Sequence, residues 1–382
     1  MRIGIDARHL TYPQEGGFRS YTQSLVSALS RVDKDNEYIL YTDRPSDEGA
    51  PGDNFRVRAV QGSMPVREQV AMPIALVRDR VDVAHFLCNT APMLIRCPLV
   101  LTVHDVIPCL PGQAPRRDSN RKSRILDRYW KDVIPIAASR AARIITVSES
   151  SAEDIRRVLG VADEKITILH NGTDPAFRVL GRDVVDPVLQ KYDLTGKTYL
   201  LGFLSKDVRK NVDGLIQAYK AVSAKMPDCG LVLVCSSKAV IGMAPEEVLR
   251  DTRITVVCAV PRAELIALYN GASALVFPSF AEGFGLPIVE AMACGAPVVA
   301  SDIPTIREVA GDAATLVNPL DTHGIAEAVY AILSNESYAR RLREAGLRRS
   351  ESFSWDETAR RLVEIYAEVS KSPIPGDVEL SL

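Results

Sequence analysis

Short apolar runs alternate with stretches of helical spacing along the whole chain. In the first half the runs are Arg2–Ala7, Tyr38–Thr42, Phe55–Val60, Val81–Leu87, Pro98–Asp105, Ala142–Ser148 and Lys165–Asn171. Leu25, Val26 and Leu29, and later Ile155, Val158 and Leu159, fall on helical faces between them. Near-continuous apolar strands separated by helices predict a parallel sheet covered on both faces. The alternation pauses over a polar stretch, 174–196, that contains Pro175 and Pro187. It resumes at Thr198–Leu204, Gly230–Ser236, Arg253–Val260, Ala272–Ser279, Pro297–Asp302 and Ala314–Asn318. The expected architecture is α/β, with two Rossmann-like doubly wound domains, 1–173 and 197–354, joined by a linker at 174–196 and facing each other across a cleft. Leu362, Ile365, Tyr366 and Val369 mark a last helix over 355–370, expected to pack back on the first domain, and a tail follows it.

A length of 382 residues suits two such domains. Hydrophobic residues at 47% and a net charge of −2 encode no bulk attraction to nucleic acid. The seven cysteines form no C-x-x-C pair and no zinc pattern, which predicts reduced thiols in a cytoplasmic protein. The chain opens directly on a strand, so no signal peptide is expected, and no apolar run is long enough to span a membrane.

Candidate chemistry gathers at strand ends. Ser279-Phe280-Ala281-Glu282-Gly283-Phe284-Gly285-Leu286-Pro287 follows an apolar run and opens a helix. Its glycines permit close backbone approach, and the N–H groups of a helix start attract anions. Glu290 is the single charged residue between Leu286 and Ala300, and buried there it needs a partner such as a ligand's hydroxyl pair. An ordinary helix-start carboxylate is the alternative for Glu290, and a solvated loop acid for Glu282. The segment Gly202–Asn211 carries Arg209 and Lys210 at the beginning of another helix, where cations oppose the helix dipole unless an anionic ligand compensates. His104 and Asp105 end a run in the first half, and a structural strand-end pair is the competing reading. Gly16-Gly17 with Arg19 precedes the first helix, where a plain turn serves equally well. Asp33-Lys34-Asp35 reads as a polar turn, and no metal cluster is expected.

The Glu282-x7-Glu290 pair around Gly-Phe-Gly-Leu-Pro, continued through Glu-Ala-Met-Ala-Cys-Gly-Ala-Pro (290–297) and Glu308-Val309-Ala310-Gly311, resembles the signature of the retaining glycosyltransferase family 4, which has the GT-B fold. Val147-Ser148-Glu149 and Asn171-Gly172-Thr173-Asp174 resemble other stretches of that family. The resemblance implies transfer of a hexose from a GDP- or UDP-linked sugar to a glycan, lipid-linked or small-molecule hydroxyl, without a metal. It places Glu290 on the donor ribose, Glu282 on the transferring sugar, and the N–H groups of Phe284, Gly285 and Leu286 on the diphosphate. Arg209 and Lys210 would neutralise that diphosphate, and His104 would face the sugar with Asp105 orienting it. Gly17 would reach the donor phosphate, with Arg19 on the acceptor side, and Val260 would border the base. The chain departs from the family pattern at Phe203, Arg19 and Cys258. Ile5-Asp6-Ala7-Arg8, His104–Pro108 and Ser352–Trp355 are similar to members that handle mannose or related sugars. A nucleotide-sugar epimerase on the same fold, or an inactive nucleotide-sugar-binding protein, is the alternative.

The segment 116–131 interleaves Arg116, Arg117, Arg121, Lys122, Arg124, Arg128 and Lys131 with Tyr129 and Trp130. Such a basic amphipathic helix predicts peripheral contact with an anionic membrane face, against the plainer reading of a solvated surface.

Overall fold

The computed structural model describes residues 1–11, 16–45, 50–109, 121–242 and 246–371. Chain contacts divide these residues into two compact units. The first runs from Met1 to Gly172 and takes back the chain from Trp355 onward; the second is Thr173–Ser354.

The first unit is built on a seven-stranded sheet in the order β3-β2-β1-β4-β5-β6-β7. The strands are β1 (Arg2–Asp6), β2 (Glu37–Thr42), β3 (Phe55–Ala59), β4 (Val83–Phe86), β5 (Leu99–Thr102), β6 (Arg143–Thr146) and β7 (Ile166–Ile168), all paired in parallel. β4 and β5 are buried along their full length, which is why they read as unbroken apolar runs. Strand order reverses between β1 and β4, so the loops leaving these strands open the crevice where ligands of such sheets bind. The last helix, Trp355–Val369, lies on the helix Gly17–Val32. Trp355 meets Tyr21 edge-on with ring centroids 5.3 Å apart, and the Tyr366 hydroxyl lies 2.6 Å from Nδ1 of the buried His85.

The second unit holds a six-stranded parallel sheet in the order β10-β9-β8-β11-β12-β13. These strands are β8 (Tyr199–Phe203), β9 (Gly230–Cys235), β10 (Ile254–Cys258), β11 (Ala274–Phe277), β12 (Val298–Ser301) and β13 (Thr315–Val317). The order reverses between β8 and β11.

Two details differ from the sequence reading. Residues 174–196, expected as a linker, fold within the second unit: the helix Arg182–Lys191 buries Val185 and Leu189 in its core beside Phe177 and Leu194. The polar, proline-containing composition hid a one-sided apolar stripe. Cys235 and Cys258, expected as reduced thiols, sit opposite each other on the paired strands β9 and β10 and are joined as a disulfide. Their separation of 23 residues in sequence carries no pairing signal; the sheet brings them together.

Candidate active site

In the second unit, the strands on either side of the reversal, β8 and β11, deliver the candidate residues. Beyond β8 the chain passes through the short helical turn Val208–Lys210 to Asn211, which adopts a left-handed conformation with φ of 50°. Asn211 Oδ1 accepts from Gly214 N–H and so caps the helix Val212–Lys225, while its Nδ2 donates to Pro278 O at 3.0 Å and Pro319 O at 2.7 Å. One side chain thus ties the loops after β8, β11 and β13. A fourth bond, Phe280 N–H to Arg209 O at 2.7 Å, fixes the β8 and β11 loops to each other.

The tie brings Lys210 onto Glu282. The Lys210 ammonium lies 2.6 and 2.9 Å from the two carboxylate oxygens and 5.2 Å from the Phe277 ring centroid. Thr305, on the helix Pro304–Ala310, donates to the Glu282 carbonyl at 3.0 Å and fixes that backbone. Arg209 forms a forked contact with Asp207, Nε and Nη2 reaching the carboxylate at 3.0 and 2.6 Å. Burial works against the Asp207 charge, yet Arg209's hydrogen bonds and charge hold that carboxyl below its ordinary range. The two adjacent cations are therefore each countered by an acid that an anionic ligand would have to replace.

Gly285 takes φ of 99°, a left-handed value that favours glycine, and heads the helix Leu286–Ala293 with Pro287 in its first turn. Phe284 is buried against Phe353, with centroids 5.5 Å apart, so it anchors the loop. Glu290, one turn further, accepts from the Tyr269 hydroxyl at 3.1 Å. Burial pushes the Glu290 carboxyl up to about 7; the Tyr269 bond and the charge of Arg262 partly offset that. Tyr269 sits between Phe177 and Phe203, and Arg262 lies over Phe177 while pairing with Asp174 at 2.6 Å. The carboxyl is thus held in an apolar, aromatic wall where hydroxyl groups make strong partners. Phe203, at the end of β8, is part of that wall. Ala259 follows Cys258 with φ of 50°, strained for a residue with a Cβ, and the half-buried Val260 comes next.

In the first unit, β5 delivers His104. Its backbone N–H donates to Asn89 Oδ1 at 2.8 Å and its Nε2–H donates to Leu87 O at 2.8 Å. That fixes the tautomer and leaves Nδ1 to accept from a hydroxyl. Burial lowers the His104 pKa to about 4, so the ring is neutral at physiological pH. The ring packs edge-on against Tyr21 and Phe18, at 4.5 and 5.1 Å between centroids. The Asp105 carboxylate accepts from Ile107 N–H at 3.0 Å, and its carbonyl accepts from the Asn89 amide at 3.2 Å. Gly17 begins the first helix and Arg19 is half-exposed on it, while Glu15 lies outside the described residues.

Sequence reading missed Tyr269, Asn211 and Asn89. A helix-start asparagine after two cations was the available signal for Asn211; the partners of Glu290 and His104 are distant in sequence and left none. It also missed a buried charge network around Asp6, Arg8, Arg67 and Glu68, to which Tyr129 donates at 2.6 Å through Glu68. Tyr129, expected at a membrane interface, therefore points its hydroxyl inward. Arg128 pairs with Asp132 at 2.7 Å. Arg116 and Arg117, and the side chains of Arg121, Lys122 and Arg124, lie outside the described residues. Asp33 accepts from Asn36 and Tyr38, as suits a structural turn. Among the described residues, no helix is long and apolar enough to cross a membrane.

Comparison with known proteins gives a consistent picture. The family pattern described as "Glycosyl transferases group 1" matches residues 188–349, and that of "Glycosyltransferase Family 4" matches residues 15–177. The chain is 30% identical to O-antigen chain mannosyltransferase B of Escherichia coli over 272 residues, 70% of this chain and 69% of that protein. It is 28% identical to the serotype-specific mannosyltransferase WbdA of Escherichia coli over 72% of this chain, a match that spans only 34% of WbdA. In structure it resembles sucrose-phosphate synthase from Thermosynechococcus elongatus with a TM-score of 0.77 at 21% identity, covering 97% of this chain and 99% of that one.

Proposed function

The chain belongs to glycosyltransferase family 4, the group 1 glycosyltransferases, and from that premise we propose that it is a retaining hexosyltransferase using a nucleotide-diphosphate sugar, with mannose from a GDP donor as the leading candidate and UDP-sugars as the other. The observation that carries the reading is the Lys210–Glu282 pair, 2.6 Å apart at the mouth of the β8 and β11 loops beside the helix start at Gly285 and Leu286. In the reaction the bond from the anomeric carbon to the diphosphate oxygen breaks, the acceptor hydroxyl bonds to that carbon on the same face and loses its proton, and the nucleoside diphosphate leaves with added negative charge. Lys210 and Arg209 exchange their carboxylate partners for that charge, and the N–H groups of Phe284, Gly285 and Leu286 add donors. Glu282, released by Lys210, meets the sugar. Glu290 accepts from the ribose hydroxyls, Val260 borders the base, and Gly17 gives the phosphates room. His104 Nδ1 accepts from a sugar hydroxyl, with Arg19 and Asp105 toward the acceptor. The protein cations carry the electrostatic work without a metal. Mannosyltransferase relatives named for O-antigen chains support a glycan acceptor and a place in polysaccharide biosynthesis; a lipid-linked acceptor, met at the cytoplasmic membrane face by the cationic segment 116–131, is the further part of the proposal.

The test is to incubate purified protein with GDP-mannose and other nucleotide sugars and follow nucleoside diphosphate release and product by NMR. Release with an α-linked product from an α-linked donor supports the reading. Donor binding without turnover on any donor sinks it in favour of a nucleotide-sugar-binding protein, and inversion at C2 of the sugar identifies an epimerase.

A further inference from the structure

Between β3 and β4 the first unit carries a π turn, Arg67–Ala71, set between the helical pieces Met64–Val66 and Met72–Arg78. Met72, Ala75 and Leu76 enter the apolar core as an amphipathic helix requires. The three residues that open the π turn are polar instead, and each reaches another segment. Such turns recur at functional sites. Arg67 donates to Asp6, to Val60 O and to Tyr41 O. Glu68, fully buried, accepts from Arg8 at 2.5 Å, Tyr129 at 2.6 Å and Thr90 at 2.7 Å. Gln69 accepts from Met93 N–H at 2.9 Å and donates to Ala91 O at 3.3 Å and to the Tyr129 hydroxyl at 2.7 Å.

Thr90, Ala91 and Met93 all belong to the loop that leaves β4, so Glu68 and Gln69 grip that loop from behind. From its other side the same loop holds His104: Leu87 O accepts from Nε2–H, and Asn89 Oδ1 accepts from the backbone N–H, both at 2.8 Å. Asn89 sits at φ of 62°, a left-handed value that a residue with a Cβ keeps only where its surroundings hold it. Its N–H donates to Thr102 O at 2.9 Å and its Nδ2 to Asp105 O at 3.2 Å, while the next residue, Thr90, is pinned by Glu68. From Glu68 to the histidine the path is therefore two hydrogen bonds and one peptide link. A buried set of two acids and two arginines, Asp6, Glu68, Arg8 and Arg67, adds little stability over apolar packing of the same volume. What it supplies is direction, which apolar contacts lack.

We propose that Glu68 is a positioning residue for His104: through Thr90 and Asn89 it fixes the loop whose Leu87 carbonyl selects the ring's tautomer, so that Nδ1 is presented to the sugar. The inference rests on the reading of His104 as a residue that meets the sugar. Glu68 acts on the ring, not on the substrate.

Thr90→Val is the sharpest test, because it removes the bond to the loop and leaves Glu68 its partners Arg8 and Tyr129. With the full chain, kcat is expected to fall by about 10- to 100-fold, as for a small misplacement of a reacting group, with donor KM within about twofold. Thr90→Ser restores the hydroxyl and should recover most of the loss. In a His104→Ala background, Thr90→Val should change kcat by less than about twofold, since the residue it positions is gone. Glu68→Gln should act in the same direction as Thr90→Val; it also alters the charge beside Arg8, so the threonine pair keeps the test independent of its folding. The second readout is the ¹⁵N spectrum of the labelled histidine rings at neutral pH, with the His104 signals identified by their loss in His104→Ala. The unaltered protein should show one protonated and one unprotonated ring nitrogen for His104, and Thr90→Val should draw the two shifts together as the tautomers mix. Unchanged His104 signals in Thr90→Val, or an equal loss of kcat with and without His104, overturns the proposal. If the unaltered chain transfers no sugar, the proposed function fails, and the ring signals alone decide whether Glu68 and Thr90 position the histidine.

Discussion

The Lys210 ammonium and the Glu282 carboxylate, 72 residues apart in sequence, meet in a two-pronged contact of 2.6 and 2.9 Å. Each satisfies the other; in the proposed reaction a donor would supply phosphate for one and sugar hydroxyls for the other. Removal of either leaves its partner half-buried and uncompensated. Lys210→Ala is expected to lower kcat by about 10²- to 10³-fold, the range for loss of one charge-stabilising group, while kcat and not KM takes most of the loss. Lys210→Ala/Glu282→Gln should fall well short of the product of the two single losses, because the residues act as a unit. Steady-state kinetics on the four proteins checks this, and strict multiplicativity would show that they act independently.

Glu290 gives the ligand-free protein a pH signature. Its carboxyl has an ordinary pKa of 4.5 and is raised to about 7 by burial, so folding favours the neutral form. The stabilising contribution is full below about 4.5 and is lost as pH rises through about 7. The ligand-free Tm should therefore fall between pH 5 and 8 by more than in Glu290→Gln. Donor affinity should run the other way, strengthening as the carboxylate forms. Tyr269→Phe removes a hydrogen bond that lowers this pKa, so its affinity midpoint should move to higher pH. Calorimetric titration with a nucleoside diphosphate across that range is the check; a flat profile rules out Glu290 as ribose acceptor.

Removing the charge altogether tests the same assignment at fixed pH. At pH 8, Glu290→Ala should weaken donor binding by about 1.5–3 kcal/mol, the value of a hydrogen bond to a charged group, in a protein that still melts cooperatively.

Activity should survive a strong chelator, since the proposed charge stabilisation comes from Lys210, Arg209 and the helix beginning at Leu286. Loss of turnover in chelator, restored by Mg²⁺, would require a metal on the diphosphate.

The close approach of Gly172 to Trp355 offers a purely steric test. A Cβ on Gly172 would fall 2.0 Å from the Trp355 backbone nitrogen, so backbone itself must move. Gly172→Ala is expected to destabilise the first unit by more than about 2 kcal/mol, read by urea denaturation, with nucleotide binding by the second unit retained.

The strands were legible because a sheet covered on both faces needs uninterrupted apolar runs, and Leu99–Thr102 or Val298–Ser301 can hardly be read otherwise. Glu290 was legible for the opposite reason, a lone charge in an apolar segment. What escaped depends on contacts between distant segments. Neither Tyr269 nor Leu87 announces that it will hold Glu290 or His104, and only the adjacency of β9 and β10 makes Cys235 and Cys258 a pair. The helix at 182–191 was hidden because its charged residues and internal Pro187 mask an apolar stripe of only Val185 and Leu189.

The return of Trp355–Val369 to the first unit also sets an order of assembly during synthesis. The second unit is one continuous segment, Thr173–Ser354, and its residues are all available before the first unit's are. The older half of the nascent chain must wait, with Tyr21 and His85 lacking Trp355 and Tyr366, until its final helix leaves the ribosome. Chains stalled so that residue 354 is the last to emerge should therefore show a protease-resistant second unit and a digestible first one. Emergence of the helix Trp355–Val369 should close the first unit in a single step, so that a segment made after the whole second unit completes the half of the fold that was made before it.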